Sequence, residues 1–140
     1  CLGLGLSKKA PGTVASAAAV LFWWVLAQNA SFSFVAGLLL LLTVLGVFLI
    51  RTYEKLGGEE DASEIVIDEW VGMGIAMVAV AHSWILVIVA FGLFRLFDIW
   101  KPPGVRYFDR HYLEGWGVML DDVVAGMYAA VIVGAIARFI

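Results

Sequence analysis

The sequence predicts an all-α membrane domain of about five helices, arranged as two short hairpins and a last span, with an amphipathic helix at the membrane surface. Hydrophobic residues make up 63% of the 140 residues, against roughly 45–50% in soluble globular proteins. Charged residues make up 15%, against about 25% in such proteins. With 9 basic residues, 12 acidic residues and a net charge of -3, the composition excludes a nucleic-acid-binding or disordered chain. The length fits a single domain over residues 1–140.

The first hairpin is predicted between residues 13 and 50, where no charged residue occurs. This stretch is nearly twice as long as the roughly 20 residues that one membrane span needs. Polar residues around Gln28 and Asn29 predict a turn, with a first helix over about residues 14–27 and a second over about residues 32–50. At 1.5 Å per residue the first helix is about 21 Å long. It must therefore tilt, thin the bilayer or lie partly within the protein.

A second uncharged stretch covers residues 70–94 and is interrupted only by His82 and Ser83. It is either one long span or a second hairpin, with helices over about residues 65–81 and 84–100. Basic residues favour the hairpin, because Lys and Arg accumulate on the cytoplasmic side of membrane proteins. A hairpin brings eight of the nine basic residues to one side, whereas a single span brings only five. The eight are Lys8, Lys9, Arg51, Lys55, Arg95, Lys101, Arg106 and Arg110.

The last part of the chain is predicted to start from this charged, cytoplasmic side. Between residues 101 and 119, apolar residues recur at helical spacing with basic residues between them, which predicts an amphipathic helix lying on the membrane surface. A fifth helix over about residues 121–140 then crosses to the other side. The recurring apolar residues are Val105, Phe108, Tyr112 and Trp116.

Three groups of acidic residues adjoin the apolar helices, and all of them fall on the charged side. Gly72, one helical turn after Asp68, leaves room for a neighbouring helix or a ligand to approach. A carboxylate such as Asp68, within an otherwise apolar membrane segment, is functional by default. Two simpler interpretations stay open: an aspartate of the last group caps the fifth helix, and Arg95 forms a structural ion pair with Asp98. The groups are Glu64 with Asp68 and Glu69, then Asp98, then Asp121 with Asp122.

Carboxylates that converge in this way need a counter-charge, since like charges a few Å apart cannot all stay ionised. A divalent cation supplies it. Oxygen ligands without Cys or His suit Mg²⁺, with Mn²⁺ as a possible substitute, and argue against zinc. Because Mg²⁺ usually binds few carboxylates together with water and substrate phosphate, we expect a phosphorylated substrate.

Residues 8–16 contain a candidate phosphate contact. Pro11 and Gly12 precede Thr13 and Ser16 at the start of an uncharged helix, and Lys9 comes shortly before them. Free N–H groups at such a start attract anions, although Pro, Thr and Ser are also common capping residues.

Several phosphatase chemistries are excluded by the residues present. The one Cys is residue 1 and the two His residues are isolated, so neither a cysteine-phosphatase loop nor a histidine nucleophile is available. No P-loop motif occurs either. Metal-assisted hydrolysis of a phosphate ester remains.

Four sequence blocks together resemble the phosphatidylglycerophosphatase A family: KKAPGTVAS at 8–16, EIVIDEWVGM at 64–73, FRLFDIWKP at 94–102 and GVMLDDVVAG at 117–126. The resemblance implies a Mg²⁺-dependent membrane phosphatase that converts phosphatidylglycerophosphate to phosphatidylglycerol in phospholipid biosynthesis. It also implies a multi-pass protein of the bacterial inner membrane, with the active site facing the cytoplasm. The chain departs from the family pattern at Ala15, at Ala62 with Ser63 and at Pro103 with Gly104, which affects loop geometry but removes no acid or cation.

The resemblance assigns the family's catalytic positions to all six acids of the three groups. Within it we expect Asp68, Glu69, Asp98 and Asp122 to hold the metal, while Glu64 or Asp121 orients the attacking water. We expect the phosphate to contact Lys9, Thr13, Ser16, Arg95 and Lys101. The alternatives are a phosphatase acting on another lipid phosphate, an ion transporter, which needs carboxylates near mid-bilayer and access from both faces, and a structural membrane partner. The expected partner is a phospholipid substrate within the membrane.

Overall fold

The computed structural model describes residues 11–57, 66–80, 83–111 and 116–139. Helices account for nearly all of these residues, and no strand occurs among them, so the all-α prediction is confirmed. In chain order the helices are α1 (Pro11–Asn29), α2 (Phe32–Lys55), α3 (Ile67–Val78), α4 (Trp84–Trp100), α5 (Pro103–His111) and α6 (Trp116–Ala137).

The first predicted hairpin is present, and both of its helices are longer than predicted. Ser31 has an extended backbone and caps α2, because its side chain accepts a hydrogen bond of 3.3 Å from the Phe34 N–H. The turn therefore lies at residues 30 and 31. Helix α2 continues five residues beyond the predicted end, so Arg51 and Lys55 belong to its last two turns.

The second predicted hairpin is also present, because α3 ends at Val78 and α4 begins at Trp84. Helix α4 has the predicted bounds, and α3 is shorter than predicted. Lys101 ends α4 in the left-handed conformation, with φ 51°, which is uncommon for a residue with a Cβ. This turn redirects the chain toward α5 and α6.

The region between residues 101 and 119 differs from the prediction. The amphipathic helix is α5, in which Val105 is buried while Arg106 and Tyr107 are exposed. Trp116 belongs instead to α6, which begins five residues earlier than predicted. Asp121 and Asp122 consequently lie in the second turn of α6, and the interpretation of either residue as a helix cap is wrong.

Helix α5 packs against α6 as well as facing the surface. A Cβ on Gly104 would collide with the hydroxyl of Tyr128 and lie 3.4 Å from a methyl of Val124. The ring of Tyr128 also makes an edge-to-face contact with Phe97, with the ring centroids 5.8 Å apart. Tyr128 thus joins α4, α5 and α6 at the end of the bundle where α5 lies.

Helix α3 lies at the centre of the bundle and packs against α6, α1, α2 and α4. Its closest neighbour is α6. A Cβ on Gly126 would collide with the carbonyl group of Gly72, and a Cβ on Gly72 would lie 2.6 Å from the carbonyl oxygen of Asp122. The two backbones therefore touch, as small residues permit in membrane helix pairs. The approach expected at Gly72 is confirmed, and the neighbour is a helix.

Large apolar side chains cover the outside of the bundle. Leu21, Phe34, Leu40, Phe48 and Val131 are each more than half exposed, although a soluble protein would bury such side chains. Two helical segments, Phe32–Lys55 and Met119–Ala137, are long and apolar enough to cross a bilayer, and Thr13–Asn29 is a shorter apolar segment. The surface and the helix lengths are those of a helical membrane domain.

Candidate active site

Five carboxylates come together at the end of the bundle where α3 and α6 begin and where α2 and α4 end, which we call the charged end. Asp68 interacts electrostatically with Glu69, Asp98 and Asp121, and Asp122 interacts with Asp68, Asp98 and Asp121. Three of the five are nearly inaccessible to solvent: Asp68 is 6% exposed, Asp121 5% and Asp122 2%. A buried carboxylate is costly unless its charge is compensated.

The close crossing of α3 and α6 at Gly72 and Gly126 positions two of the three buried acids, Asp68 and Asp122. Asp68 lies four residues before Gly72 on α3, and Asp122 lies four residues before Gly126 on α6. Because Gly72 and Gly126 touch, and because both aspartates lie one turn toward the charged end, α3 and α6 run parallel and present their carboxylates to the same space. Gly126 was not singled out from the sequence. The signal for it is the pattern D-x-x-x-G-M, which occurs at residues 68–73 and again at 122–127.

Local hydrogen bonds orient two of the carboxylates. Oδ1 of Asp68 accepts a bond of 2.9 Å from the backbone N–H of Glu69, and Oδ1 of Asp121 accepts one of 2.8 Å from the backbone N–H of Asp122. The first of these bonds lies in the first turn of α3, where the helix dipole also favours negative charge.

Asp122 and Asp98 lie close enough together inside the bundle for their charges to repel one another. Two ionised carboxylates are both hydrogen-bond acceptors, so neither can donate to the other. Oδ2 of Asp122 is buried and has no hydrogen-bond partner. A proton or a cation is required between such groups.

Two basic residues of α4 and its cap compensate part of this charge. Arg95 pairs with Asp98 and lies 3.7 Å from Oε1 of Glu69, so it links α4 to α3. Nζ of Lys101 lies 3.0 Å from Oδ2 of Asp121, which links the end of α4 to α6. The ion pair proposed for Arg95 and Asp98 is therefore present, within the acidic cluster.

The predicted phosphate-contact residues of the first block occupy different environments. Thr13 is exposed, whereas Ser16 is fully buried in the packing of α1. An apolar groove between α1 and α4 is lined by Ala17, Val20, Val87, Ile88 and Phe91. Thr13 lies one turn before Ala17 on α1, and Arg95 lies one turn after Phe91 on α4, so each is one helical turn from a residue that lines the groove.

Two predicted site residues, Lys9 and Glu64, lie outside the described residues.

A hydrogen bond that the sequence did not reveal fixes α1 beside α3: Nε1 of Trp23 donates to the carbonyl oxygen of Trp70 at 2.8 Å. The ring of Trp23 lies close to Gly74, where a Cβ would be 2.6 Å away. This contact packs α1 against α3. Helix α1 has 19 residues, about 28 Å at 1.5 Å per residue, so it is longer than the helix of about 21 Å predicted from the sequence.

The cluster fits Mg²⁺ by the chemistry of its donors and by the unsatisfied oxygen of Asp122, since all its acidic groups offer oxygen ligands. The side chains are not arranged as a finished ligand set: among the described residues, no three His, Cys, Asp or Glu residues are placed to hold a metal ion. Instead, Asp98 and Asp121 are turned toward Arg95 and Lys101.

Comparison with known proteins identifies the family. A family model described as Phosphatidylglycerophosphatase A matches residues 1–137. The chain belongs to the phosphatidylglycerophosphatase A family. The resemblance carried by the four sequence blocks is thereby confirmed, and the membrane fold above is the fold of a phosphatidylglycerophosphatase A family member.

Relatives from three bacteria match most of the chain. Phosphatidylglycerophosphatase A of Escherichia coli is 38% identical over 129 residues, which cover 91% of this chain and 74% of that protein. Phosphatidylglycerophosphatase A of Haemophilus influenzae is 38% identical over 135 residues, covering 96% and 83%. A protein of Bacteroides thetaiotaomicron, named "Putative phosphatidylinositol-3-phosphatase", is 40% identical over 146 residues, covering 99% and 89%. No solved structure matches the chain.

Proposed function

We propose that this protein removes the terminal phosphate of phosphatidylglycerophosphate, giving phosphatidylglycerol and inorganic phosphate, at the cytoplasmic face of the bacterial inner membrane. The observation that carries the proposal is the convergence of five carboxylates, Arg95 and Lys101 at one end of a membrane bundle. This chain's family, and two of its relatives, are named for that reaction.

The proposed cofactor is Mg²⁺, with Mn²⁺ as a substitute, held by Asp68, Glu69, Asp98 and Asp122. When bound there, Mg²⁺ would polarise the phosphoryl group and neutralise its charge. The excess of acids over bases supports this proposal, since Arg95 and Lys101 alone do not balance five carboxylates, and an incoming phosphate brings further negative charge.

Arg95 and Lys101 are proposed to bind the phosphate oxygens that point away from the carboxylates. Both side chains are already at the cluster through their acidic partners, so little side-chain motion is needed to meet an anion. Arg95 presents a planar fork of donors that suits phosphate, and Lys101 contributes a compact charge.

Asp121 or Glu64 is proposed to orient the attacking water and to accept its proton. Asp121 is held through both of its oxygens, by Lys101 and by the N–H of Asp122, which fixes its direction. The water oxygen bonds to phosphorus, the ester P–O bond breaks, and the departing glycerol oxygen takes up a proton.

The substrate is proposed to enter laterally, with its acyl chains remaining in the bilayer. The apolar groove between α1 and α4 has a volume of about 200 Å³, and its lining residues Ala17 and Phe91 lie one helical turn from Thr13 and Arg95. The exposed Arg106 on α5 would attract anionic lipid to the surface near the site, as Arg110 is also predicted to do.

The proposal is tested by phosphate release from phosphatidylglycerophosphate in detergent, with Mg²⁺ and with EDTA. We expect release with Mg²⁺ and none with EDTA. Asp68→Asn should abolish turnover while the protein stays folded, because it removes a buried charge of the cluster. Glu60→Gln changes an acidic residue to which the proposal assigns no role; it is the control and should have little effect. Turnover of Asp68→Asn near that of the unmodified protein would contradict the assigned role.

A phosphatase acting on an inositol lipid phosphate is the second candidate, favoured by the name of the Bacteroides thetaiotaomicron relative. Phosphatidylinositol 3-phosphate in the same assay decides between the two lipids by the ratio of kcat/KM values. Ion transport is disfavoured, because the buried carboxylates of the described residues all lie at the charged end.

A further inference from the structure

A second groove lies between the end of α2 and the start of α6. Its volume is about 340 Å³, within the range of small-molecule sites. Three apolar residues of α2 line one part of it, and two basic side chains, Arg51 and Lys55, line the part at the charged end. The lining residues are Val44, Val47, Phe48, Arg51, Thr52, Lys55 and Trp116.

Neither Met119 nor any acid of the cluster is among the residues that line this groove. The Met119 side chain is fully buried, and its Sδ and Cε lie 2.9 Å from the position of a Cβ on Gly46. It therefore fills the space between α2 and α6, with Ile67 of α3 beside it at 3.5 Å from the same position. The basic residues of the cluster, Arg95 and Lys101, belong to α4 and its cap. The groove is a different site from the proposed active site.

Along α2, the apolar and the basic lining residues follow one another in the same order as the acyl chain and the phosphate of a phospholipid. On α2, Val44 and Phe48 precede Arg51 and Lys55 by one to three turns, so an acyl chain and a phosphate could contact one helix in sequence. Trp116 is 44% exposed at the level of the basic residues, and tryptophan favours the membrane interface. Basic pockets between membrane helices on the cytoplasmic side bind anionic head groups.

We propose that this groove binds an anionic glycerophospholipid of the surrounding leaflet, with its phosphodiester at Arg51 and Lys55 and one acyl chain along Val44, Val47 and Phe48. A bound lipid bridges α2 to the first turn of α6, which leads directly to Asp121 and Asp122. The lipid therefore supports the helix that carries two acids of the proposed active site, and the reaction product is a lipid of the same class.

Binding is measured by quenching of tryptophan fluorescence in detergent, with phosphatidylglycerol or phosphatidylcholine carrying brominated acyl chains. The difference in quenching between the unmodified protein and its Trp116→Phe variant measures the contribution of Trp116, which lines the groove. We expect phosphatidylglycerol to quench Trp116 at lower concentration than phosphatidylcholine does. The double variant Arg51→Gln/Lys55→Gln should raise that concentration roughly thirtyfold, and Val44→Phe, which fills the groove at an exposed position, should also raise it.

Arg138→Gln, a basic residue at the other end of α6, is the control and should leave quenching unchanged. Equal quenching of Trp116 by the two lipids, or unchanged quenching in both groove variants, would overturn the proposal. The titration is also performed on Asp68→Asn, a variant expected to have no turnover, so that lipid binding is measured apart from catalysis. If the protein releases no phosphate but binds phosphatidylglycerol here, only the proposed function fails; if it releases phosphate without this binding, only the groove proposal fails.

Discussion

At the scale of single residues, Asp98 and Asp122 face one another inside the bundle as two acceptors without a donor between them. Asp121, beside them, is satisfied by Lys101 and by a backbone N–H. The two neighbouring aspartates therefore differ in how well their charge is compensated. This difference supports different proposed roles: Asp122 as a metal ligand and Asp121 as the residue that orients water.

Asp122→Asn should separate activity from stability. An amide at this position can donate a hydrogen bond to Asp98 and carries no charge, so we expect the free energy of unfolding to stay the same or rise by about 1 kcal/mol. Phosphate release should fall about a hundredfold or more. Thermal unfolding and the phosphate assay measure the two effects. A large loss of stability would show that the charge of Asp122 is already compensated in the folded protein.

At the scale of the helices, α3 organises the site because it contacts α1, α2, α4 and α6. It is short, with 12 residues, yet it carries two acids in its first turn and two glycines in its middle. The backbone of α6 packs closely against Gly72, and the ring of Trp23 of α1 packs closely against Gly74. The carboxylates of α3 and α6 can therefore come close together only because the residues at the helix crossing are glycines, which have no side chain.

Gly126→Ala should disturb the site through the helix crossing. The added methyl would collide with the Gly72 carbonyl, and separating two packed backbones costs about 1–3 kcal/mol of stability. We expect lower thermal stability and lower kcat, because Asp122 moves away from Asp68. Gly92→Ala on α4 is the matched control: no atom lies within 4 Å of its new methyl, so stability should hold or rise. Equal behaviour of the two variants would refute the crossing as the cause.

Ile88→Trp tests the entry groove between α1 and α4. Ile88 lines the groove and is 60% exposed, so the indole should fill the groove without disrupting the core. We expect KM for a long-chain substrate to rise several-fold, since each methylene displaced from an apolar groove costs about 0.8 kcal/mol. Activity on a short-chain, water-soluble analogue should persist. Val131→Trp is the control, because Val131 lies on α6 and is 71% exposed. The same change of KM in this variant would contradict the proposal that the substrate enters through the groove.

At the scale of the whole molecule, the charged end gathers the buried acids, their basic partners and the lipid groove, while exposed apolar side chains cover the rest of the bundle. The two ends of the protein therefore differ strongly in charge. This asymmetry favours one orientation in the membrane, with the charged end in the cytoplasm.

Cysteine labelling from outside the cell tests this orientation. In a Cys1→Ser background, we expect Asn29→Cys, at the α1–α2 turn, to react with a membrane-impermeant maleimide in intact cells after outer-membrane permeabilisation. Gly57→Cys, beyond the end of α2, should react only after the inner membrane is opened. Both positions are exposed in the protein. The reverse labelling pattern would place the acidic cluster on the other side of the membrane and contradict the proposed localisation.

The sequence by itself determined the membrane class, both hairpins, the charged end and the acids gathered there. These properties follow from local quantities: the length of the first uncharged stretch predicts a hairpin, and the positions of Lys and Arg favour the second hairpin and predict the side of the membrane on which the charged end lies. The family also followed from the sequence, because its blocks preserve residue types at fixed spacing. Helix ends were less accurate, since Trp116 reads equally well as part of a surface helix or of α6.

Only the tertiary structure decided how those acids meet. The proximity of Asp68 and Asp122 depends on the rotation of α3 and α6 about their axes and on the Gly72–Gly126 crossing. The contact between Lys101 and Asp121 depends on the left-handed turn at the end of α4. The groove between α2 and α6 brings Trp116 beside residues of α2 that are more than 60 positions earlier in the sequence. Such contacts join residues far apart in sequence, and no local pattern of charge or hydropathy specifies the angle at which two apolar helices pack.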